Sequence, residues 1–464
     1  MILHLLFRLF DSLIVRSYFS PDEYWQSLEV AHKLVFGYGE LTWEWKTSEL
    51  RSIIHPGIFA IFYYFLKITS LDYPIIVAYL PRIIQGFLLY ICDIYVYKIA
   101  QHIFGKNAAK WTFVLQIASW FLFYGGIRTY NNSFEMALTA VGLYFLTIGK
   151  DIYWNIIVGL CCMCRPTSIM TWIPVYLFNF YRKEYKKLFQ TFWIGITCFS
   201  FQILLDSLYF GKFTVTAYNF LEFNLLQGKS SFYGVHPWHW YISNGIPTVL
   251  ISYLLPFLLG IYFYISHSLQ TKNFPILAVS LLFSLVFLSL SPHKEFRFLL
   301  PYFPYFLIIS GYGMQFIKYK FLIWIIILLQ IPIAFYLSIW HQSAPLATTD
   351  TLRNENLKSV AFWINCHGTP FYSHIHQNIP MDFLHCEPFS DIKEVDEFFK
   401  NPKYYADKML KNNYSHIVLW ESLYETLKES LKEYEILEKI FHSHYTESPI
   451  AYESNVSFLI LKHK

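Results

Sequence analysis

Two adjacent carboxylates, Asp22 and Glu23, stand directly after the first apolar run of the sequence. Neighbouring residues on a turn or a helix start point in different directions, so at most one of the two is expected to face a reacting group. Such a carboxylate can act as a general base that takes a proton from an attacking hydroxyl. The alternative is an acidic helix N-terminus that begins at Ser20 and Pro21.

A second cluster places four ionisable residues within the five positions from His293 to Arg297, between two apolar runs. The basic side chains of His293, Lys294 and Arg297 suit a phosphate or pyrophosphate leaving group. Arg128 follows a pair of glycines in another polar segment, and its planar guanidinium also fits a phosphate. The alternatives are a short solvated turn for the cluster and a snorkelling side chain for the single arginine.

Aromatic and imidazole rings are dense in the segment His-Pro-Trp-His-Trp-Tyr at 236–241. His236, Trp238 and Trp240 are candidates for sugar stacking and hydrogen bonding, and an interfacial aromatic belt is the alternative. Trp25 and Gln26, which follow the acidic pair after Tyr24, are further candidates for contacts with an acceptor sugar. The sequence has no phosphate loop, no Rossmann glycine pattern and no Ser/His/Asp signature.

The composition determines what kind of molecule must position these residues. Of 464 residues, 55% are hydrophobic, 21% are aromatic and only 15% are charged. Soluble domains carry about 25% charged residues, so a purely soluble protein is excluded. The net charge of +4 is small for this length and does not suggest a nucleic-acid partner. The sequence therefore predicts an α-helical polytopic membrane protein.

Eleven apolar runs are candidate membrane spans, although some are short for the roughly 17 to 25 residues a spanning helix needs. They are Ile2–Tyr18, Tyr73–Tyr97, Trp111–Tyr124, Ser133–Ile148, Ile152–Cys164, Ser168–Tyr181, Leu188–Phe210, Ile246–Ile265, Phe274–Leu290, Phe298–Gly313 and Phe321–Trp340. A twelfth run, Ile58–Leu66, is shorter. If it lies along the membrane surface, five basic connections, including Lys98–Lys110 and Arg182–Lys187, fall on one side, which the positive-inside rule makes cytosolic. We therefore expect eleven spans, with all the polar clusters on the luminal side.

The character of the chain changes near residue 342, where charged stretches replace apolar runs. We predict a transmembrane catalytic module at residues 1–341, with a luminal loop at 20–72, and a small mixed α/β luminal domain at 342–464. Cys366 and Cys386 would both lie in an oxidising lumen and could form a disulfide, with two free thiols as the alternative.

These motifs resemble those of glycosyltransferase family 22, whose members have a GT-C fold and use dolichyl phosphate mannose. The resemblance runs nearly from end to end. It rests on Pro-Asp-Glu-Tyr-Trp-Gln-Ser-Leu-Glu-Val at 21–30, Leu-Thr-Trp-Glu-Trp at 41–45, Arg-Ser at 51–52, His-Pro-Trp-His-Trp-Tyr at 236–241, His-Lys-Glu-Phe-Arg-Phe at 293–298 and Cys-His-Gly-Thr-Pro-Phe-Tyr-Ser-His at 366–374. The last motif resembles that of the family branch that adds the third mannose of glycosylphosphatidylinositol (GPI) anchors.

The resemblance implies a multi-pass enzyme of the endoplasmic reticulum membrane with a luminal active site. It implies transfer of mannose from dolichyl phosphate mannose to the second mannose of a GPI precursor, through an inverting reaction that forms an α-1,2 link. Asp22 would be the base, with Glu23 orienting the acceptor or substituting. Arg128, His293, Lys294 and Arg297 would bind the donor phosphate. The layout requires no metal and no cofactor besides the lipid-linked donor.

Two other functions stay open at this point. One is a sibling mannosyltransferase that builds the N-glycan precursor or adds the fourth GPI mannose, against which the tail motif argues. The other is a polytopic transporter or a non-catalytic assembly subunit. A transporter is expected to carry internal repeats and ionisable residues within its spans. No repeat is evident, and Arg82, Asp93 and Asp206 are the comparable residues.

Overall fold

The computed structural model describes residues 2–387, 394–444 and 456–464. The chain forms two compact units, each built from three discontinuous segments. The first unit comprises Met1–Ser12, Thr47–His55 and Arg82–Ala334, and the second comprises Leu13–Lys46, Pro56–Pro81 and Phe335–Lys464. The units therefore do not coincide with the predicted segments 1–341 and 342–464, because parts of the loop predicted at 20–72 belong to the same unit as the tail.

The described residues are mainly helical. The α-helices are Ile2–Ile14, Glu29–Phe36, Trp43–Lys46, Ile54–Ile68, Pro74–Ala118, Asn131–Thr147, Asp151–Cys164, Ile169–Tyr181, Tyr185–Phe210, Thr216–Leu221, Ile246–Leu250, Leu254–Thr271, Ile276–Leu290, Phe303–Gly313, Lys320–Leu328, Gln330–Ile339, Ala344–Arg353, Tyr372–Ile375, Glu394–Lys400, Pro402–Met409 and Glu421–Leu427. Short π-helical turns cover Tyr24–Leu28, Leu122–Gly126, Glu222–Leu226 and Tyr241–Gly245, and short 3₁₀ turns include Pro166–Ser168, Lys229–Tyr233 and Phe296–Tyr302.

Within the described ranges, four helical stretches are long and apolar enough to cross a membrane: Pro74–Ala118, Tyr185–Phe210, Tyr241–Thr271 and Lys320–Ile339. The count of eleven spans stays a prediction. Two helices meet at Gly105, inside the predicted connection Lys98–Lys110, so the structure does not contradict a connection there. That glycine alone leaves the helical conformation, with φ of 87°, which a residue without a Cβ adopts without strain.

The short apolar helix Ile54–Ile68 has two different faces from Pro56 onward. Phe59 and Tyr63 are buried in the core of the second unit, whereas Ile61 and Phe65 are mostly exposed although they are apolar. One exposed apolar face on a short helix is typical of a helix that lies in a membrane interface. A spanning helix that packs on one side exposes an apolar face in the same way, so the surface placement of Ile58–Leu66 stays a prediction.

Glycines allow close helix packing in the first unit. A Cβ on Gly260 would overlap the carbonyl oxygen of Ile309, and one on Gly313 would overlap that of Pro256. The helices Leu254–Thr271 and Phe303–Gly313 therefore pack with their backbones in contact, as small residues permit in membranes.

A buried polar network occupies the start of the first unit. The Arg8 guanidinium donates to Asp93 at 2.7 Å and to the carbonyl oxygen of Gln116 at 3.0 Å. The second Asp93 oxygen accepts from the Gln116 amide at 2.9 Å, and His4 lies 2.8 Å from the carboxylate. Asp93 is thus held in a paired network, which favours a structural role over the transport role that the sequence left open.

The second unit contains a five-stranded mixed sheet. Its strands are β1 (Val360–Trp363), β2 (Met381–Phe383), β3 (His416–Trp420), β4 (Tyr434–Phe441) and β5 (Ser457–His463), in the order β2-β1-β3-β5-β4. β1 runs parallel to β2 and β3, while β5 is antiparallel to β3 and β4. Short helices connect these strands, so the predicted mixed α/β character of the tail is confirmed.

The core of this unit is shared between the tail and the segment that follows the first helix. Buried residues of β1 and β3, such as Phe362 and Val418, belong to the same hydrophobic cluster as Tyr24, Trp25 and Leu28. The tail therefore does not bury its apolar surface alone. The segment that carries the acidic pair is held by burial against the tail, the main favourable contribution in folding.

Candidate active site

The acidic pair lies on a tight helical turn in the second unit. The carbonyl oxygen of Pro21 accepts hydrogen bonds from the backbone N–H groups of Tyr24 and Trp25, both at 3.0 Å. Glu23 is fully buried, whereas Asp22 is partly exposed. Because a base must reach its substrate, this difference favours Asp22 over Glu23 for proton transfer. The helical start that the sequence offered as an alternative is also present, so one turn carries both features.

Trp25 does not form a sugar-binding surface. Its side chain is 1% exposed, and its indole N–H donates to the carbonyl oxygen of Thr369 at 3.0 Å. The indole also packs against His367, with ring centroids 4.4 Å apart. The predicted sugar contact of Trp25 is corrected on this point, because a buried and hydrogen-bonded indole has no face left for a ligand. Gln26, its neighbour, is partly exposed.

Glu29 joins two motifs that lie more than 300 residues apart. This buried carboxylate accepts hydrogen bonds from the backbone N–H of Phe371 at 2.8 Å and from the hydroxyl of Ser373 at 2.6 Å. A further N–H, that of Ser373, lies 3.2 Å away. Burial raises the pKa of Glu29 to about 7, although the hydrogen bonds from Ser373 and the backbone oppose this shift. Glu29 therefore holds the tail motif at 366–374 against the helix that follows the acidic pair.

The raised pKa of Glu29 makes a contribution to stability that depends on pH. Between pH about 5 and 7 the unfolded chain releases this proton while the folded chain keeps it, so stability falls as the pH rises toward 7. The Glu29→Gln side chain keeps an acceptor oxygen but has no proton that titrates in this pH range. We expect the melting temperature of the wild-type protein, relative to Glu29→Gln, to fall between pH 5 and 8. Thermal unfolding of purified protein in detergent measures this difference.

The partly exposed Glu40 provides the matched control for this pH series. Glu40→Gln should track the wild-type protein at every pH, because Glu40 pairs with Lys46 near the surface. A constant difference between wild-type and Glu29→Gln protein across the series would contradict the role given to Glu29.

Cys366 and Cys386 form a disulfide with Cα atoms 5.9 Å apart. The bridge ties the tail motif to the segment after β2, within the second unit. The imidazole of His367 lies 3.3 Å from the sulfur of Cys366. These three residues would form a metal-ligand set if the cysteines were reduced, but both sulfurs are committed to the bridge.

In the first unit, Glu295 organises the ionisable cluster. Arg297 donates to both Glu295 oxygens at 2.6 Å, and His293 approaches the same carboxylate at 2.9 Å. Burial raises the pKa of Glu295, but Arg297 and His293 outweigh burial and lower it to about 2. Glu295 is therefore an anion that fixes the Arg297 guanidinium and the His293 ring. The other imidazole nitrogen of His293, Nδ1, is buried and makes no hydrogen bond within the described residues.

Lys294 lies in the same turn with different partners. Its ammonium donates to the carbonyl oxygens of His236 and Ser291, and the residue is only 3% exposed. Burial lowers the pKa of Lys294. Its two hydrogen-bond partners are neutral, so its charge is not cancelled by a hydrogen-bonded carboxylate. A cation held in this way attracts a phosphate strongly, because the surrounding protein screens charge less than water does.

The predicted residue Arg128 lies in the same unit but is completely buried. Its Nε donates to the carbonyl oxygen of Tyr124 at 2.7 Å, and its guanidinium lies 4.4 Å from the ring centroid of Tyr124. Arg297 lies over the ring of Tyr130 at 5.3 Å, so the segments of the two arginines are neighbours. Arg128 has less access than Lys294 to a ligand from outside.

The segment at 236–241 also contacts the ionisable cluster. The His236 ring stacks on Trp240 with centroids 4.9 Å apart, and Trp240 packs against Phe296 at the same distance. Trp240 is buried, while Trp238 is 70% exposed. The structure thus brings His236 and Trp240 together with Lys294 and leaves Trp238 at the surface.

Two residues with clear roles in this geometry were not among the predicted site residues. Glu295 stands between His293 and Arg297, and this alternation of charges within one motif was the available signal. Glu29 ends the motif at 21–30, but its partners come from the far tail, so no local pattern could have indicated them.

Comparisons with known proteins show which family this chain belongs to. Residues 1–376 match the Alg9-like mannosyltransferase family. The mouse GPI alpha-1,2-mannosyltransferase 3 is 34% identical over 95% of this chain and 85% of its own length. GPI mannosyltransferase 3 of Drosophila melanogaster is 36% identical over 95% of this chain and 82% of its own, and the Arabidopsis thaliana mannosyltransferase APTG1 is 35% identical over 95% and 88%.

Solved structures show the fold. ArnT from Cupriavidus metallidurans bound to undecaprenyl phosphate superposes with a TM-score of 0.64, covering 99% of this chain and 96% of that protein at 9% identity. The oligosaccharyltransferase AglB from Archaeoglobus fulgidus gives 0.54, covering 91% of this chain and 69% of its own, at 12% identity. The fold is therefore of the GT-C type, as the resemblance implied. Because the family model matches residues 1–376 and the relatives cover 95% of the chain, the chain belongs to the Alg9-like mannosyltransferase family.

Proposed function

We propose that this protein transfers mannose from dolichyl phosphate mannose to the 2-hydroxyl of the second mannose of a GPI precursor, adding the third mannose in an α-1,2 link. The observation that carries this proposal is the extent of the similarity. Relatives named for this reaction match 95% of the chain, including the tail that the family model leaves out beyond residue 376.

The proposed reaction inverts the anomeric carbon of the donor mannose. Asp22 takes the proton from the acceptor 2-hydroxyl while the oxygen of that hydroxyl forms a bond to C1 of the donor mannose. The bond from C1 to the phosphate oxygen breaks on the opposite face, and dolichyl phosphate leaves with the electron pair. Glu23, buried next to Asp22, orients the turn that presents the base.

The leaving phosphate needs positive charge that is already in position. We assign this role to Lys294 first, because its two hydrogen-bond partners are neutral carbonyl oxygens, which leave its charge uncompensated by a hydrogen-bonded carboxylate. His293 and Arg297, oriented by Glu295, contribute further donors. Arg128 adds charge from a more buried position.

In this proposal His236, Trp238 and Gln26 contact the sugars, while Trp240 supports the His236 ring by stacking on it. The residues named here suffice for proton transfer and phosphate stabilisation, so we propose a reaction that uses no metal and no cofactor besides the lipid-linked donor. The proposal places the protein in the endoplasmic reticulum membrane with eleven spans and the acidic pair on the luminal side.

The decisive experiment identifies the lipid that accumulates in cells that lack this gene. We expect a GPI precursor with two mannoses, and restoration of the three-mannose precursor when the gene is returned. Accumulation of a truncated dolichol-linked oligosaccharide would instead show a sibling enzyme of N-glycan assembly. Normal levels of both lipid classes would reject the proposed function.

A further inference from the structure

A small cleft in the first unit lies outside the groups discussed so far. Its lining includes Arg51 and Ser52, Arg165, and Thr216 and Phe220. These residues come from three segments that the predicted topology places on the luminal side. The charged side chains among the lining residues are the two arginines.

Asp206 fixes the wall of this cleft. The carboxylate accepts hydrogen bonds from the Ser52 hydroxyl at 2.9 Å, from the Ile53 N–H at 3.0 Å and from the Thr216 hydroxyl at 2.6 Å. Segments that are more than 150 residues apart in sequence are thereby tied together. These neutral donors occupy acceptor positions of the Asp206 carboxylate, which leaves fewer of them for an arginine of the cleft.

The two arginines are oriented by neighbours on their own side. Arg165 donates a hydrogen bond from Nη1 to a carboxylate oxygen of Glu135 at 2.6 Å. Its guanidinium lies over the ring of Phe298, 5.9 Å from the centroid. In the part of the chain that the structure describes, its Nε and Nη2 make no hydrogen bond. The Arg51 guanidinium lies over Phe220 at 5.8 Å. Planar forks held in this way are suited to the oxygens of a phosphate.

We propose that the cleft between Arg51 and Arg165 binds a phosphate group carried by a lipid substrate. It is a second anion site, separate in sequence from the cluster at 293–297. The inference rests on the proposed function, in which two lipids with phosphates meet the enzyme. These are the dolichyl phosphate of the donor and the phosphodiester of the glycosylphosphatidylinositol acceptor, and the same chemistry serves either one.

The test measures initial rates of full-length protein in lipid nanodiscs, with donor and acceptor varied separately. The variants are Arg51→Gln and Arg165→Gln, with Arg51→Lys and Arg165→Lys to keep charge without the fork. Lys212→Gln is the control, because Lys212 is an exposed cation nearby that pairs with Glu49. Melting temperatures of all variants report whether the fold is intact.

We expect each glutamine variant to raise the KM of one substrate by about ten- to a hundredfold, the effect of losing a charged hydrogen bond. The KM of the other substrate and the melting temperature should change little, and the affected substrate identifies the source of the phosphate. The lysine variants should fall between glutamine and wild type. Unchanged KM values for both lipids, or a loss of rate that follows a loss of melting temperature, would overturn the proposal. If the wild-type protein transfers no mannose at all, the proposed function fails instead.

Discussion

Replacing Asp22 with asparagine is expected to lower the rate of mannose transfer by about a hundred- to ten-thousandfold, the usual contribution of a general base. Asparagine has nearly the same shape but cannot accept the proton of the acceptor hydroxyl. Since Asp22 is partly exposed on a turn fixed by Pro21 and by the surrounding core, the protein should still fold and accumulate in the membrane. The measurement is the initial rate with saturating donor and acceptor, together with the amount of protein in the membrane.

The neighbouring carboxylate provides the sharpest comparison. Glu23→Gln should lower the rate less than Asp22→Asn, because Glu23 is buried and acts through the turn. Glu40→Gln, on a partly exposed carboxylate of the same unit, should behave as wild type. If Asp22→Asn and Glu23→Gln both retain full activity, the assignment of the base is wrong.

Replacing Lys294 with glutamine is expected to lower kcat by about a hundred- to a thousandfold, the effect of removing one preorganised stabilising group. The charge of Lys294 is held between two carbonyl oxygens, and its loss leaves the departing phosphate with less stabilisation. Because the charge that the phosphate gains develops in the transition state, kcat should fall more than the KM of the donor rises. Steady-state kinetics with dolichyl phosphate mannose separate these two effects.

A structural role for Lys294 makes a different prediction. If the ammonium only ties the segments of His236 and Ser291 together, Lys294→Gln should lower the melting temperature and rate in parallel. An intact melting temperature with a low kcat supports the phosphate role. Lys272→Gln, on an exposed lysine of another loop, is the matched control.

The local patterns of the sequence indicated most of the chemistry. The acidic pair at 22–23, the ionisable cluster at 293–297 and the rings at 236–241 could all be found from residue type and spacing. The scarcity of charge indicated a membrane protein, and the change in composition near residue 342 indicated a different tail. These features are local, so the chain displays them without its fold.

The tertiary structure decided which of these residues are accessible and which support others. Trp25 looked like a sugar-binding ring, but Thr369 and His367, from the distant tail, bury it. Glu29 was not among the predicted site residues, but the hydrogen bonds that it accepts from the Phe371 N–H and the Ser373 hydroxyl make it a link between two motifs.

The sequence by itself determined a membrane scaffold and a set of polar and aromatic motifs, because charge, aromatic content and motif spacing can be counted along the chain. Their mannosyltransferase character came from the resemblance to a known family. Only the tertiary structure decided that the tail and the segment around the acidic pair share one core, and that Asp206 ties Ser52 and Ile53, more than 150 residues away, to Thr216 in the wall of a cleft. The physical reason is that burial and hydrogen bonding depend on partners far away in sequence, and neither leaves a periodic signal at the residue itself.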